Sequence, residues 1–474
     1  MNLPADFIAY TRHLLGEEEY DKLYTALQQE TPVSIRFNPL KSMAGYRNDP
    51  RLESVPWCST GYYLDERFTF TFDPLFHAGC YYVQEASSMF LEQALKQYVN
   101  VPSVMLDLCA APGGKSTHCL GVLPEGSLLV ANEVIRSRSN ILAENIIKWG
   151  NPRVVVTNND PANFTCLEHF FDVILTDVPC SGEGMFRKDA TAVTEWSQEN
   201  VDVCWKRQRR ILADIWPSLK PGGLLIYSTC TYNTHEDEEN LLWMQHELGA
   251  EVLPVDTHEE WGIKGCLIDA RLPVYRFMPH ITKGEGFFLA VLRKPYGKEE
   301  NQRTLSAGGP KSGKSKNKGG VAPLKEFFEK AKTWVDKNEE YQLLSLNPST
   351  IYAFPMQYQN ELQLIQKYLH VIFAGVVIGE VKGKDLIPDH SLAMSSVLRS
   401  DIFPRVEVAY EQAIAYLRKE AVTLDVTAPR GYVLLTYKQL PLGFVKNIGN
   451  RANNLYPQEW RIRSGYLPEV VRTL

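Results

Sequence analysis

Between residues 103 and 230 the sequence alternates short apolar runs with helical stretches, and this alternation constrains the fold more than any other feature. The runs are "SVMLDL", "GSLLVANE", "RVVVTNND", "DVILTDVP" and "GGLLIYSTC". They are near-continuous in Val, Ile and Leu rather than alternating apolar with polar, so each reads as a strand buried on both faces. Stretches such as "RSRSNILAENIIKWG" and "ENVDVCWKRQRRILADIWPSL" separate them and carry helical periodicity. The expected architecture is α/β, a mostly parallel sheet covered by helices, with "PVYRFMPHI" and "EGFFLAVLRK" as its antiparallel finish. In open sheets of this kind ligands bind beyond the C-terminal ends of the strands. The residues that follow each apolar run are therefore the place to look for chemistry.

At 474 residues the chain exceeds what one hydrophobic core organises, so two to four domains are expected. "PADFIAYTRHLLGEEEYDKLYTAL" reads as two amphipathic helices broken near Gly16, and "TPVSIRFNPLK" as a strand and turn. "KEENQRTLSAGGPKSGKSKNKGGVAP" is rich in Gly, Ser and Lys and reads as a flexible linker. The expected division is 1–100, a central domain over 101–296, a linker over 297–322, a small domain over 323–385 and a last one over 386–474. No basic stretch leads into an apolar one at the start, and no apolar run approaches the ~18 residues of a membrane span. The nine cysteines show neither regular spacing nor a CxxC pair. This argues against a disulfide framework and a structural zinc, and for reduced thiols in the cytoplasm. The net charge of −6 gives nucleic-acid binding no support by itself. Lys and Arg do cluster locally, in "WKRQRR" and "RIRSG" among others, and a surface field depends on distribution.

In "VMLDLCAAPGGKSTHCL" a strand ends around Asp107 to Cys109, and Gly113-Gly114 turns the chain into a helix starting near Lys115. The loop is neither GxGxxG nor GxxxxGK[ST], so it signals neither a dinucleotide site nor a P-loop. Three acids stand at or beside strand ends: Glu133, suited to ribose hydroxyls, Asp160, within reach of an adenine amino group, and Asp177. Each alone is more commonly a helix cap or turn former. Three along one sheet edge beside a glycine loop favour a nucleoside ligand, and S-adenosylmethionine suits the set.

Cys180 and Cys230 end the fourth and fifth runs and project into the same crevice. Cys109, Cys119, Cys166, Cys204 and Cys266 read as small buried hydrophobes; the pair does not, because its contexts are polar and turn-forming. Zinc would want further ligands at recognisable spacing. "THEDEEN" reads instead as a helix start with Thr234 as N-cap. Covalent catalysis remains. Carbon 5 of a pyrimidine becomes nucleophilic once a thiolate adds to carbon 6. Asp177 is placed to hold the pyrimidine's N3 and amino edge.

Together "DLCAAPGGKS", "DVPCSGEGMFRK" and "YSTCTYNTHEDEEN" resemble the bacterial RsmF-like branch of the NOL1/NOP2/Sun RNA cytosine-5 methyltransferases. "SIRFNPLK", with Arg36, Asn38 and Lys41, and "GCYYVQEASSM", with Gln84, Glu85 and Ser88, resemble that family's N-terminal segment. "LPLGFVKNIGNRANNLYPQEWRIR" resembles its C-terminal PUA-like domain. The resemblance implies a Rossmann-like class I methyltransferase domain with a seven-stranded, mostly parallel sheet, flanked by an N-terminal α+β RNA-binding segment and the PUA-like domain. It implies Cys230 as nucleophile and Cys180 as the cysteine of product release. It places S-adenosylmethionine against Cys109, Ala110, Ala111, Pro112, Gly113, Gly114, Lys115, Glu133, Asp160 and Asp177, with Arg138 as a further contact. No metal is implied. The expected activity is methylation of cytidine carbon 5 in 16S ribosomal RNA, free or in the 30S subunit, by a cytoplasmic monomer acting on neither DNA nor membranes. The same chemistry on transfer RNA, and a non-catalytic RNA-binding assembly factor, are the alternatives.

Overall fold

The structure, a computed structural model, describes residues 2–474 apart from 42, 43, 47, 297–321, 348, 467 and 468. The linker expected over 297–322 thus lies outside the described residues but for its last position. Helices α1 (Ala5–Leu15) and α2 (Glu17–Leu27) meet at Gly16, whose φ of +81° a residue with a Cβ adopts only with strain. Phe7, Leu23 and Leu27 bury one face of the pair against Phe186, Trp196 and Tyr232. Strands β1 (Val33–Phe37), β2 (Leu52–Ser54) and β3 (Gly61–Leu64), helix α3 (Pro74–His77) and strand β4 (Tyr81–Val83) follow. The four strands form an antiparallel sheet in the order β2-β3-β1-β4, and α4 (Leu91–Tyr98) leads out of it.

The residues that resemble the family's N-terminal segment stitch this sheet to the central domain and, through Lys41, to the C-terminal part. Arg36, fully buried, donates to Gln84 Oε1 at 2.8 Å and Thr117 Oγ1 at 2.7 Å. Asn38 Nδ2 donates to the carbonyls of Gly79 and Trp149, both at 2.8 Å. Lys41 Nζ donates to the Met394 carbonyl at 2.5 Å.

The central domain runs β5 (Val104–Asp107), α5 (Gly114–Val122), β6 (Leu128–Asn132), α6 (Arg136–Trp149), β7 (Val154–Thr157) and β8 (Phe171–Asp177). It continues with α7 (Ala190–Glu195), α8 (Gln198–Ile215), β9 (Leu219–Thr229), α9 (Glu238–Leu248), β10 (Glu251–Leu253), β11 (Tyr275–Phe277) and β12 (Phe287–Arg293). The strand order β10-β12-β9-β8-β5-β6-β7 holds seven strands, the expected number, but the edge is β10 and the "PVYRFMPHI" strand, β11, pairs only with β12; β12 runs antiparallel to β9 and β10. All residues of β5, β6 and β7 are buried, as their unbroken apolar runs require.

Helix α10 (Ala322–Lys332), strands β13 (Tyr341–Asn347) and β14 (Thr350–Pro355), helix α11 (Gln359–Tyr368) and strand β15 (Val371–Ala374) come next. After them are β16 (Val376–Lys382), β17 (Asp385–Pro388), α12 (His390–Met394), β18 (Arg405–Glu407), α13 (Tyr410–Leu417), β19 (Gly431–Tyr437), β20 (Leu440–Asn447) and β21 (Ala452–Asn454). The sheet topology cuts across the small domain expected over 323–385. β15 pairs antiparallel with β7 and extends the central sheet, and β11 hangs on β12, giving nine strands in all. Edge strand β7 is thereby covered rather than left with open backbone groups. The last sheet, β18-β19-β20-β21, shares a hydrophobic cluster with the N-terminal sheet through Ile35, Leu75, Ile414 and Val433. No helix among the described residues is long and apolar enough to cross a membrane.

Candidate active site

The register of β8 against β9 builds the centre. Asp177 lies beside Ser228 in this parallel pair, so both chains leave the sheet at one level and turn into their cysteine loops side by side. Cys180 and Cys230, the pair singled out from sequence, come together with sulfurs 2.9 Å apart, and the Cys230 amide donates to Cys180 Sγ at 3.3 Å. Both are half-buried free thiols. The hydrogen bond to Cys230 and burial push the Cys180 thiol well above its ordinary range, so Cys180 keeps its proton. Asp177 is held at both oxygens: Lys115 Nζ donates to Oδ2 and Ser228 Oγ to Oδ1, each at 2.8 Å. Burial pulls the Lys115 ammonium down, but the Asp177 carboxylate outweighs it and its pKa is raised.

The glycine loop sits one strand over. Gly113 caps α5 in the left-handed region at φ +113°. A Cβ on Gly114 would stand 3.2 Å from the Tyr82 ring, so that surface is close-fitted. Asp107, ending β5, accepts from Ser116 Oγ at 2.6 Å through one oxygen, while its other oxygen is buried without a partner. Burial lifts its carboxyl to about 7. Glu133 follows β6, accepts from the Ile135 amide at 2.8 Å, and lies 3.6 Å from Arg138. Arg138 also donates to the Ala111 carbonyl at 2.8 Å, tying the acid to the loop. Asp160 follows β7 and caps the short helix Pro161–Cys166 through the Ala162 amide at 3.0 Å. Its other oxygen is 3.6 Å from Arg210.

A cavity of about 350 Å³ opens between the N-terminal segment and this edge, lined by Tyr82, Gln84, Glu85, Ser88, Cys109, Ala110, Ala111, Pro112, Gly114, Lys115, Asp177, Met185 and Lys188. Its floor is close backbone, its polar groups include an ion pair, and Glu133 stands beyond the next strand. This donor set fits S-adenosylmethionine: carboxylates for hydroxyls and a positive sulfur, small residues for a flat ring. Tyr82, Met185 and Lys188 escaped sequence reasoning because they reach the cavity only through tertiary packing. The tie from Ser228 follows from register, and its place one residue inside the fifth apolar run was the available signal.

Two expectations are corrected. Thr234 does not cap a helix: α9 begins at Glu238, after Asp237. The residues between are claimed by other elements. The Thr234 amide donates to Tyr10 Oη at 3.1 Å, and Arg276 binds the Tyr232 carbonyl and the Asp237 and Glu238 carboxylates. Of the five cysteines expected as buried hydrophobes only Cys119 and Cys204 are buried: Cys166, ending a short helix, is exposed, and Cys109, which lines the cavity, and Cys266 are half-buried.

Among the described residues one group could offer metal ligands: Cys58, Glu92 and His118, whose ligand atoms lie within 4.8 Å of one another. None lines the cavity. Their hydrogen bonds already close on Glu92, which accepts from Cys58 Sγ and His118 Nε2 at 3.1 Å, Ser59 N at 3.0 Å and Lys96 Nζ at 2.5 Å. Burial holds His118 down at about 4 and Cys58 up at about 12, so both are neutral. The cluster joins the N-terminal segment to α4 and α5.

The family model for 16S rRNA methyltransferase RsmB/F matches residues 96–293. The model for the N-terminal domain of 16S rRNA methyltransferase RsmF matches 3–86, and that for the RsmF PUA domain matches 403–462. Ribosomal RNA small subunit methyltransferase F of Enterobacter sp. (strain 638) is 30% identical over 488 residues, covering 98% of this chain and 97% of that protein. Its counterpart in Escherichia coli (strain K12 / MC4100 / BW2952) is 31% identical over 484 residues, with 98% and 97% covered. Among solved structures, NSun6 from Pyrococcus horikoshii with SFG shares the fold at a TM-score of 0.53 and 20% identity, over 62% of this chain and 99% of that one. A methyltransferase homolog protein from Pyrococcus horikoshii gives 0.50 and 26%, over 62% and 100%. The motif loops, the strand order and these matches along nearly the whole sequence lead to one assignment: the chain belongs to the RsmB/F family of 16S rRNA methyltransferases.

Proposed function

We propose that this protein methylates carbon 5 of cytidine in 16S ribosomal RNA, with S-adenosylmethionine as cofactor and Cys230 as the covalent nucleophile. The observation that carries the reading is the 2.9 Å separation of two cysteine sulfurs at adjacent strand tips, beside a buttressed aspartate. When bound, S-adenosylmethionine supplies an electrophilic methyl group on a positively charged sulfur. Glu133 and the close backbone at Gly113-Gly114 hold its nucleoside part, Asp160 serves the adenine end, and Arg138 steadies Glu133 against the loop. Cys230, its thiol proton lost to solvent, adds as thiolate to carbon 6 of the base, moving the double-bond electrons toward carbon 5 and the ring's N3 edge. Asp177, fixed by Lys115 and Ser228, accepts from the amino group at that edge and orients the base, and the Lys115 ammonium beside it offsets the negative charge that develops there. Cys180 retains its proton until Cys230 bonds to the base. It then gives that proton to solvent, and its thiolate takes the proton from carbon 5 as the bond between carbon 6 and sulfur breaks and Cys230 leaves as thiolate. The cytidine must leave its stack to reach this crevice. The RNA is met free or in the 30S subunit by a cytoplasmic monomer, and the C-terminal domain supplies shape and phosphate contacts.

Cys180→Ala should methylate its target and stall, accumulating a protein–RNA adduct that survives denaturing electrophoresis. Cys230→Ala should form no adduct and transfer no tritiated methyl group. An adduct in the Cys230 variant and none in the Cys180 variant would exchange the two roles. Bisulfite mapping of ribosomal and transfer RNA from cells lacking the protein identifies the substrate; an unchanged 16S pattern removes the 16S assignment.

A further inference from the structure

Two fully buried glutamates lie behind the cysteine pair and take no part in the chemistry above. Glu183 belongs to the loop that carries Cys180, yet it serves the loop of Cys230. Its Oε2 accepts from Thr231 Oγ1 at 2.6 Å, Tyr232 N at 2.7 Å and Asn233 N at 3.1 Å. Its Oε1 accepts from Asn233 Nδ2 and Trp196 Nε1, both at 3.0 Å. Glu236 does the reverse. It follows Cys230, and it accepts from the amide of Ser181, next to Cys180, at 3.0 Å. Gln208 Nε2 at 2.7 Å and Asn233 Nδ2 at 2.9 Å complete its partners. A direct bond from Gly184 N to the Cys230 carbonyl, 2.9 Å, lies between them. Each loop is thus gripped by a carboxylate from the other, at amides within three residues of a sulfur. Burying a carboxylate is costly unless its acceptor sites are filled, and apolar side chains would close two loops at less cost. What carboxylates add is a fixed position for backbone amides.

We propose that Glu183 and Glu236 are positioning residues, a reciprocal clasp that sets the separation of Cys180 and Cys230. The catalytic consequence rests on the function proposed above; the geometry does not. The cofactor loop shares none of these bonds, so releasing the clasp leaves cofactor binding in place.

The separation can be read without RNA. Diamide takes two protons and two electrons from a close thiol pair, leaving a disulfide and its own hydrazine. The wild-type chain should form the Cys180–Cys230 disulfide readily, as peptide mass spectrometry reports. In Glu183→Gln and Glu236→Gln an amide N–H₂ faces hydrogen-bond donors. Disulfide formation should slow at least about tenfold there, the loss of one buried hydrogen bond. The cofactor dissociation constant should stay within about twofold, and kcat for methyl transfer should fall with KM for RNA unchanged. A wild-type rate of cross-linking in both folded variants, or no cross-linking in the wild type, would overturn the clasp. Slower cross-linking in the variants of a protein that proves unable to methylate any RNA would retire the function and keep the clasp. Should neither variant fold, hydrogen exchange on the wild type decides. Protection of the Ser181, Tyr232 and Asn233 amides comparable to the central strands supports the clasp, and exchange at exposed-loop rates overturns it.

Discussion

Glu133 is 3% exposed at the end of the second central strand, and of its two oxygens one serves a turn amide while the other keeps only the longer contact with Arg138. If it holds ribose hydroxyls, Glu133→Ala should weaken S-adenosylmethionine binding by about 10- to 150-fold, the value of a charged hydrogen bond of roughly 1.5–3 kcal/mol. RNA affinity should stay as it was. Calorimetry with cofactor alone is the check, and an unaltered dissociation constant would remove Glu133 from the site. Asp107 makes a different kind of prediction. Burial raises its carboxyl from 3.8 to about 7, so the folded chain keeps a proton that the unfolded chain has lost. Its contribution to stability is therefore fully present below 3.8 and lost as pH rises through about 7. Asp107→Asn does not titrate, so it should gain on the wild type in melting temperature between pH 5 and pH 8. An equal gap at both pH values would sink the assignment. Cys180, Cys230 and Asp177 were legible from sequence because strand ends obey a topological rule. Glu183 and Glu236 were not, since nothing in "SGEG" or "THEDEEN" says that each would reach across to the other's loop.

At the level of elements, the apolar runs gave up their strands readily because a strand buried on both faces has no other composition open to it. The start of α9 was misread for the opposite reason. "THEDEEN" carries a good local capping signal, but Tyr10 claims the Thr234 amide and Arg276 the Asp237 and Glu238 carboxylates, while Glu183 fixes Asn233 just before the run, and its first residues stay a turn. β15 was illegible as part of the central sheet: "VIFAG" is a short apolar run, and its partner β7 lies far away in sequence. The turn from β5 into α5 depends on one backbone conformation. Gly113→Ala would place a Cβ 3.3 Å from Leu142 while holding φ at +113°. The cost should be roughly 1–2 kcal/mol of stability, the penalty of a left-handed residue with a side chain. Urea unfolding would show it as a lower midpoint at an unchanged slope. Retention of the wild-type midpoint would mean that the loop relaxes into another conformation.

For the whole molecule, the question is whether the last ninety or so residues are an appended RNA-binding module or a structural part of the body. Their sequence, with its basic clusters and its resemblance to a PUA-like domain, reads as an appendage. Their packing says otherwise. Ile414, Leu417, Val433 and Val445 share a core with Ile35, Phe37, Leu75 and Tyr81 of the N-terminal sheet. Tyr410 Oη donates to the Phe72 carbonyl at 3.0 Å, and the Leu474 amide donates to Asp73 at 3.2 Å. A cut before residue 386 would also fall inside β17 and remove Met394, whose carbonyl accepts from the half-buried Lys41. Lys41, pulled down to about 8 by burial, would lose that bond. A chain ending at residue 385 should therefore lose more than RNA affinity. Its N-terminal sheet would expose an apolar face, and the same sheet seats Arg36 and Gln84 on its other side, next to the cavity. The expected result is a lower, broader thermal transition, binding of a hydrophobic dye, and weakened cofactor binding alongside weakened RNA binding. If the truncated chain melts like the full one and binds S-adenosylmethionine normally, the shared core is dispensable and the C-terminal sheet serves RNA alone. In that case only RNA affinity, measured over a salt titration, would report its removal.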